Sequence, residues 1–333
     1  MSDLIIIAEA GVNHNGSLKN ALKLVDAAAK SKADFVKFQT YIAEDLVQRN
    51  LSCADYQKRN STFDNQFKML KKYELKIQDF KIILKRCKKR KIKFLSSPFD
   101  LESINTVKNL KVETIKIPSG EITNIPYLQK IGKLKKKIIL STGMANVNEI
   151  RNAIKILTRY GTNRKNICIL HCNTEYPVRL DKTNLNSIKY LKKKFKLDVG
   201  FSDHTNGFEA GLIAVGLGIK IIEKHFTLNK KMKGPDHKAS LDVKELENFV
   251  KILRSAQKSL GSETKKPSRI ELANSRYIRK KIIAKNRIFK GQKFSEDNLT
   301  TKRSYMGIPS SNWKKVIGKV SNFNFKKDQI IKI

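Results

Sequence analysis

Eight short β-branched runs, with amphipathic stretches between them, restrict the possible folds of this chain more than any other feature. The runs are residues 4–8, 34–39, 92–97, 113–118, 137–141, 167–172, 198–202 and 220–225. Apolar residues recur at helical spacing in 17–31, 77–90, 146–160 and 183–194, and again in 242–260 after the eighth run. Ser17 and Asn146 stand where a helix needs a side-chain acceptor for its first free N–H groups. Strand–helix alternation repeated eight times predicts a closed parallel (β/α)8 TIM barrel, a class of about 250 residues. An open doubly wound sheet is the alternative. No Gly-x-Gly-x-x-Gly follows the first run, which argues against a dinucleotide site.

The 333 residues outlast one barrel. After 242–260 the chain turns polar at Gly261-Ser-Glu-Thr-Lys-Lys-Pro-Ser268, a linker composition. The expected division is a catalytic barrel over 1–261, a linker over 262–276 and a small β-rich module over 277–333. So small a module has a marginal core of its own and is expected to pack on the barrel or on a partner subunit.

The net charge of +39 invites a nucleic-acid reading, but the 69 Lys and Arg are spread through nearly every segment. Without one basic patch carrying interleaved aromatics, dedicated nucleic-acid binding is not expected. Met1-Ser-Asp3 leads straight into the first apolar run, so no secretory leader is read. No apolar run reaches the ~20 residues that span a bilayer; residues 210–222 come nearest and are broken by Gly216, Gly218 and Lys220. A cytoplasmic protein is expected, with Cys53, Cys87, Cys168 and Cys172 as small buried hydrophobes.

Catalytic groups of such a barrel gather where strands end. The runs here end in Glu9, Lys37 and Gln39, Ser97, Lys116 followed by Ser119, Ser141, Asn173 with Thr174 and Tyr176, Ser202 with His204, and Glu223 with His225. Alternation along a strand puts Lys37 and Gln39 on one face, as it does Ser202 with His204 and Glu223 with His225. The seventh and eighth strands are neighbours, so His204 and His225 are expected to share one ion. Two imidazoles with open positions suit Mn2+, with Mg2+ or Co2+ as alternatives, better than a closed zinc site. Lys37 and Lys116 with Ser97, Ser119 and Ser141 suit a phosphate and a carboxylate. Glu9, Gln39, Tyr176, Glu223 and Asp236 suit sugar hydroxyls or an amide.

Nine ordered motifs carry a family resemblance. They are Ala8-Glu9-Ala-Gly11-Val-Asn13-His, Val36-Lys37-Phe-Gln39-Thr, Ser96-Ser-Pro-Phe99, Lys116-Ile-Pro-Ser119-Gly-Glu121, Ser141-Thr-Gly-Met144, His171-Cys-Asn173-Thr-Glu-Tyr176-Pro, Gly200-Phe-Ser-Asp-His204, Glu223-Lys-His225-Phe-Thr and Gly234-Pro-Asp236-His. In these the chain resembles the sialic acid synthases, most of all the bacterial N-acetylneuraminate synthases. The resemblance implies a barrel followed by an antifreeze-like SAF domain, in a domain-swapped homodimer. It implies a transferase that condenses phosphoenolpyruvate with an N-acylated mannosamine-type sugar and releases phosphate. Carried onto matching positions, His204 and His225 hold the metal. Lys37, Ser97, Lys116, Ser119, Ser141, Thr174 and Ser202 contact phosphoenolpyruvate, with Asn173 beside them. Glu9, Gln39, Tyr176, Glu223 and Asp236 handle the sugar, and Arg303 of the other subunit reaches its N-acyl group. Ser97 replaces the family's usual threonine, and Arg303-Ser-Tyr-Met-Gly307-Ile replaces Arg-Pro-Gly-x-Gly-Ile.

N-acetylmannosamine is the expected sugar, giving N-acetylneuraminate. The alternative is a 2,4-diacetamido-trideoxy hexose, leading to legionaminic acid. Glu223 is expected to transfer a proton at the aldehyde or the attacking water, with Glu9, Lys37 and Lys116 as further catalytic groups. A Schiff-base aldolase using Lys37 or Lys116 is a competing enzymatic reading. A basic RNA- or lipid-surface-binding protein on the same barrel is a third.

Overall fold

The strand candidates become eight parallel strands. The computed structural model describes residues 4–333, apart from the side chains of Tyr56 and Arg59; Met1-Ser-Asp3, where the lack of a leader is read, lies outside them. The first unit, Met1–Gly261, runs β1 (Ile5–Gly11), α1 (Leu18–Lys30), β2 (Phe35–Thr40), α2 (Ala43–Leu46), α3 (Asp55–Asn60), α4 (Gln66–Tyr73), α5 (Ile77–Arg90) and β3 (Lys93–Pro98). It continues with α6 (Leu101–Asn109), β4 (Thr114–Ile117), α7 (Ile125–Lys133), β5 (Lys137–Ser141), α8 (Val147–Arg159), β6 (Ile167–Cys172) and α9 (Ser187–Phe195). β7 (Asp198–Asp203), α10 (Glu209–Gly216), β8 (Ile221–His225) and α11 (Val243–Ser259) complete it.

The strands pair in the order β3-β2-β1-β8-β7-β6-β5-β4, so the first strand closes onto the last. β3 and β4 lie side by side with no hydrogen-bonded ladder between them among the described residues, and the barrel is nearly closed. Ser17 caps α1 by accepting from Asn20 N–H, and Asn146 caps α8 by accepting from Asn148 and Glu149 N–H. Two features escape the sequence periodicity. The segment after β2 folds into three short helices, α2 to α4, packed through Tyr41, Cys53, Met69 and Tyr73. α10 follows the seventh strand in a stretch too uniformly apolar to show a helical stripe.

Strand alternation sorts the side chains into two cores. Ala8, Ala10, Val36, Phe38, Ile115, Ile138 and Phe201 pack against the helices. Ile7, Leu95, Ile139, Leu170 and Ile221 fill the barrel interior as an apolar floor. Two residues further along the same strands stand Glu9, Ser97, Ser141, Cys172 and Glu223, so polar groups form the next layer up. Gly200 belongs to the floor because it has no side chain. A Cβ there meets Ile221 O at 2.4 Å and Leu170 Cδ2 at 2.5 Å.

The second unit is Ser262–Ile333. Part of the segment read as linker is helical: α12 (Arg269–Ile278) is capped by Ser268, with Glu271 returning the bond. β9 (Lys280–Ala284) and β10 (Leu299–Arg303) pair antiparallel, and α13 (Trp313–Val316) follows. Ile282, Ile288, Phe294, Leu299, Val316 and Phe325 form its core.

Candidate active site

The polar layer holds four buried ionisable groups linked by close contacts. Glu223 Oε2 accepts from Lys37 Nζ at 2.7 Å, and Glu223 Oε1 accepts from Lys116 Nζ at 3.0 Å. Ser202 Oγ donates to the same Oε1 at 2.8 Å. Lys37 Nζ also lies 3.6 Å from Glu9 Oε2, and all four ionisable side chains are at most 5 % exposed. Burial opposes the charge on Glu223, but the two ammonium groups outweigh it and hold that carboxyl far below the usual range.

Glu9 is the opposite case. Burial pushes its carboxyl up to about 8, against the pull of Lys37, and the neighbouring Glu223 charge adds to the rise. Two carboxylates in one layer are thereby split into an anion and an acid. A raised native value has a definite linkage. Protonated Glu9 stabilises the fold fully below the unfolded value of 4.5, and that contribution is lost as pH rises through about 8. Denaturant melts between pH 5 and 8.5 should show this decline in the wild type, and Glu9→Gln should flatten it.

Beside this layer the imidazoles of His204 and His225 face each other, with ring centroids 5.5 Å apart. Tyr176 lies over His204 at 4.1 Å and meets His225 edge-on at 5.7 Å. His204 Nδ1 lies 2.6 Å from Asn173 O, which only accepts, so Nδ1 carries the proton and Nε2 keeps its lone pair. That Nε2 lies 3.2 Å from Ser202 Oγ, whose one hydrogen points at Glu223. His225 Nδ1 and Glu9 Oε2 are buried without a hydrogen-bond partner. Burial pushes His204 down to about 4, and burial with the neighbouring His204 holds His225 well below its ordinary value. The pair is therefore neutral near pH 7 and offers lone pairs, which fits a divalent cation with open positions. No group of three or more His, Cys, Asp or Glu gathers as a metal cluster among the described residues, so any such cation draws further ligands from substrate or water.

The remaining histidines are structural. His171 Nε2 donates to Thr183 O at 2.7 Å and stacks on Phe201. His14 Nδ1 accepts from Gly16 N–H. His237 is held between Thr227 Oγ1 at 2.7 Å and Asn15 Oδ1 at 3.0 Å. It pins the loop that presents Asp236, which burial pushes up to about 6.

Other expected residues assemble around Gly143. A Cβ there meets Ser119 Oγ at 2.8 Å, Thr174 Cγ2 at 2.9 Å and Cys172 Sγ at 3.0 Å. Gly143 N–H donates to Ser119 Oγ. Cys172, read from sequence as a buried hydrophobe, thus stands in the site wall, 3.2 Å from Ser119 Oγ. Gln39 is level with Ser97 in the β2–β3 ladder, and Ser97 and Ser141 are buried in the polar layer. Asn13 follows Glu9 at the end of the first strand and stands in the first motif without an assigned role. Its Nδ2 donates to Phe226 O and Ser240 Oγ, while its Oδ1 is buried without a partner. Arg303 sits on β10 of the second unit, exposed, opposite Lys280. A separate cavity of about 980 Å3 opens where the strands begin, between Phe35, Lys93, Lys137 and Lys220. None of the buried charged layer lines it.

Comparison with known proteins refines this picture. The chain is 49 % identical to the N,N'-diacetyllegionaminic acid synthase of Campylobacter jejuni over 333 residues, all of both chains. It is 42 % identical to the Legionella pneumophila enzyme of the same name, over 96 % of this chain and 90 % of that one. A crystal structure of N-acetylneuraminic acid synthetase from Leptospira borgpetersenii, in complex with citrate, superposes with a TM-score of 0.74 at 34 % identity, over 83 % of this chain and 91 % of that one. The first two names overturn the expectation of an N-acetylneuraminate synthase, because greater likeness over greater length goes to enzymes named for legionaminic acid. No helix among the described residues is long and apolar enough to cross a membrane. The SAF domain model matches residues 279–333. The NeuB family model matches residues 24–265, and the chain belongs to that family.

Proposed function

We propose that this protein is an N,N'-diacetyllegionaminic acid synthase, joining phosphoenolpyruvate to a 2,4-diacetamido-trideoxy hexose with release of phosphate. The observation that carries the substrate is the full-length identity to the Campylobacter enzyme of that name. The buried layer supports the reaction class, because Lys37 and Lys116 are two cations whose present counter-ion is a side chain that an anionic substrate can replace. Phosphate and carboxylate oxygens of phosphoenolpyruvate take over the lysines, and Ser97, Ser119 and Ser141 add hydroxyl donors.

Carbon C3 of the enol attacks the sugar's aldehyde carbon, and the electron pair of the C=O bond moves onto its oxygen. Glu9, held protonated by burial, gives that oxygen its proton. Water then adds to the cationic C2, and Glu223, released from the lysines, takes the water's proton. The resulting tetrahedral centre expels phosphate by cleavage of the C2–O bond while its hydroxyl becomes the ketone, and the hydroxyl proton leaves on the phosphate. Bound between His204 and His225, a divalent ion such as Mn2+ would supply Lewis-acid polarisation of the aldehyde oxygen. A Schiff-base route needs a free amine, whereas both lysines donate to Glu223.

The test is phosphate release from phosphoenolpyruvate with each sugar. A kcat/KM for the diacetamido hexose at least tenfold above that for N-acetylmannosamine is expected. Preference for N-acetylmannosamine sinks the substrate reading, and borohydride inactivation in the presence of substrate sinks the mechanism.

Arg303 is proposed to serve the barrel of a second copy. α12 supports a dimer, since Ile270 and Tyr277 on it are 73 % and 66 % exposed. Arg303→Ala and His225→Ala proteins, each inactive alone, should regain about a quarter of the wild-type rate after mixing and subunit exchange, by the statistics of a shared isologous site. Mixtures that stay inactive exclude the shared site.

A further inference from the structure

Behind the two imidazoles, on the face of the barrel wall turned to the helices, lies an ion pair that the chemistry above does not use. Asp203 and Lys224 are the chain neighbours of His204 and His225 and stand opposite each other in the β7–β8 ladder. Their side chains are 0 % and 1 % exposed, with Lys224 Nζ 2.8 Å from Asp203 Oδ2. Lys224 Nζ also donates to Thr205 O at 2.6 Å. Asp203 Oδ1 accepts from both Thr205 N–H at 2.9 Å and Thr205 Oγ1 at 2.8 Å. The Phe249 ring of α11 covers the ammonium group at 5.8 Å.

A pair this dry gains little over two well-packed apolar side chains, because each charge forfeits its hydration. Its geometry is more informative than its energy. Asp203↔Lys224 is the last register pair between β7 and β8. Beyond it, His204 O accepts from Val178 N–H, His225 O accepts from Leu241 N–H, and Phe226 N–H donates to Glu9 O. Each imidazole therefore rides on a strand end tied to some other segment, and the Asp203–Lys224–Thr205 knot ties the two ends to each other on the outer face, as the Ser202–Glu223 bond does on the inner one. A one-residue slip of β7 against β8 would turn His204 out of the barrel.

We propose that Asp203, Lys224 and Thr205 are positioning residues that fix the separation of the His204 and His225 rings, and so set the affinity of the site for its cation. The inference rests on the reading of that pair as a cation site.

The test uses Mn2+ binding to the metal-free full chain, followed by electron paramagnetic resonance of free Mn2+, alongside thermal melting. Asp203→Asn/Lys224→Met removes both charges together, so no buried ion is left alone. It is expected to fold and to bind Mn2+ about tenfold more weakly, the lower end of the loss when a direct partner of a metal ligand is removed, since the knot acts on the rings through the strand ends. Thr205→Val keeps the ion pair and the volume while deleting one bond to Asp203, and should weaken binding severalfold even if the double variant fails to fold. Leu157→Ala, in the core of α8, lowers the melting temperature without touching β7 or β8 and should bind Mn2+ as the wild type does. Wild-type affinity in both knot variants overturns the proposal alone. A wild type that takes up no Mn2+ overturns the cation reading beneath it.

Discussion

Glu223→Gln is expected to lower the rate of phosphate release by about 10^2- to 10^3-fold, the range for loss of one electrostatic partner in a closed site. The same change should cost about 3–5 kcal/mol of stability, because a neutral amide leaves two buried ammonium groups without a counter-charge. Wild-type Glu223 touches both amines, at 2.7 and 3.0 Å, in a layer that water hardly reaches. A diagnostic follows from that geometry. Phosphoenolpyruvate or inorganic phosphate should raise the melting temperature of the variant more than that of the wild type, since the anion restores the missing charge. Equal shifts, or near-normal turnover, would remove Glu223 from the role assigned to it. Mn2+ binding should change far less than turnover, as the imidazoles keep their own supports.

The second large effect concerns the imidazole pair. His225→Ala should abolish turnover to below about 1 % of the wild-type rate, and exhaustive chelation of the wild type should do the same. Because His225 Nδ1 has no hydrogen-bond partner to lose, the metal-free variant should melt close to the metal-free wild type. Mn2+ at a hundred times its Kd stabilises a protein by about 2.7 kcal/mol through mass action. Thermal melts should show that gain in the wild type and its absence in His225→Ala. Full activity after stringent demetallation would defeat the assignment outright.

Parity made the inward-facing set legible. Lys37 with Gln39, Ser202 with His204, and Glu223 with His225 read as inward-facing pairs because alternate residues share a face. Helix limits at 17–31 and 146–160 were equally legible, since Ser17 and Asn146 carry capping chemistry in the sequence itself. The three helices after β2 were not legible, because each is too short for a periodic stripe. The small helix α12 was hidden for a different reason. Its Ser268–Glu271 capping box sits in a segment whose Gly, Pro and Lys content reads as linker.

The division has a physical cause. Local pattern determined the eightfold strand and helix order, the face each strand-end side chain takes, and the family through its ordered motifs. Those properties depend on near neighbours along the chain. Tertiary structure alone decided that Glu223 pairs with Lys37 and Lys116, 186 and 107 residues away. It alone made Glu9 an acid and Glu223 an anion. Ionisation depends on what surrounds a group in three dimensions, and closing a barrel brings together side chains whose distances no strand records.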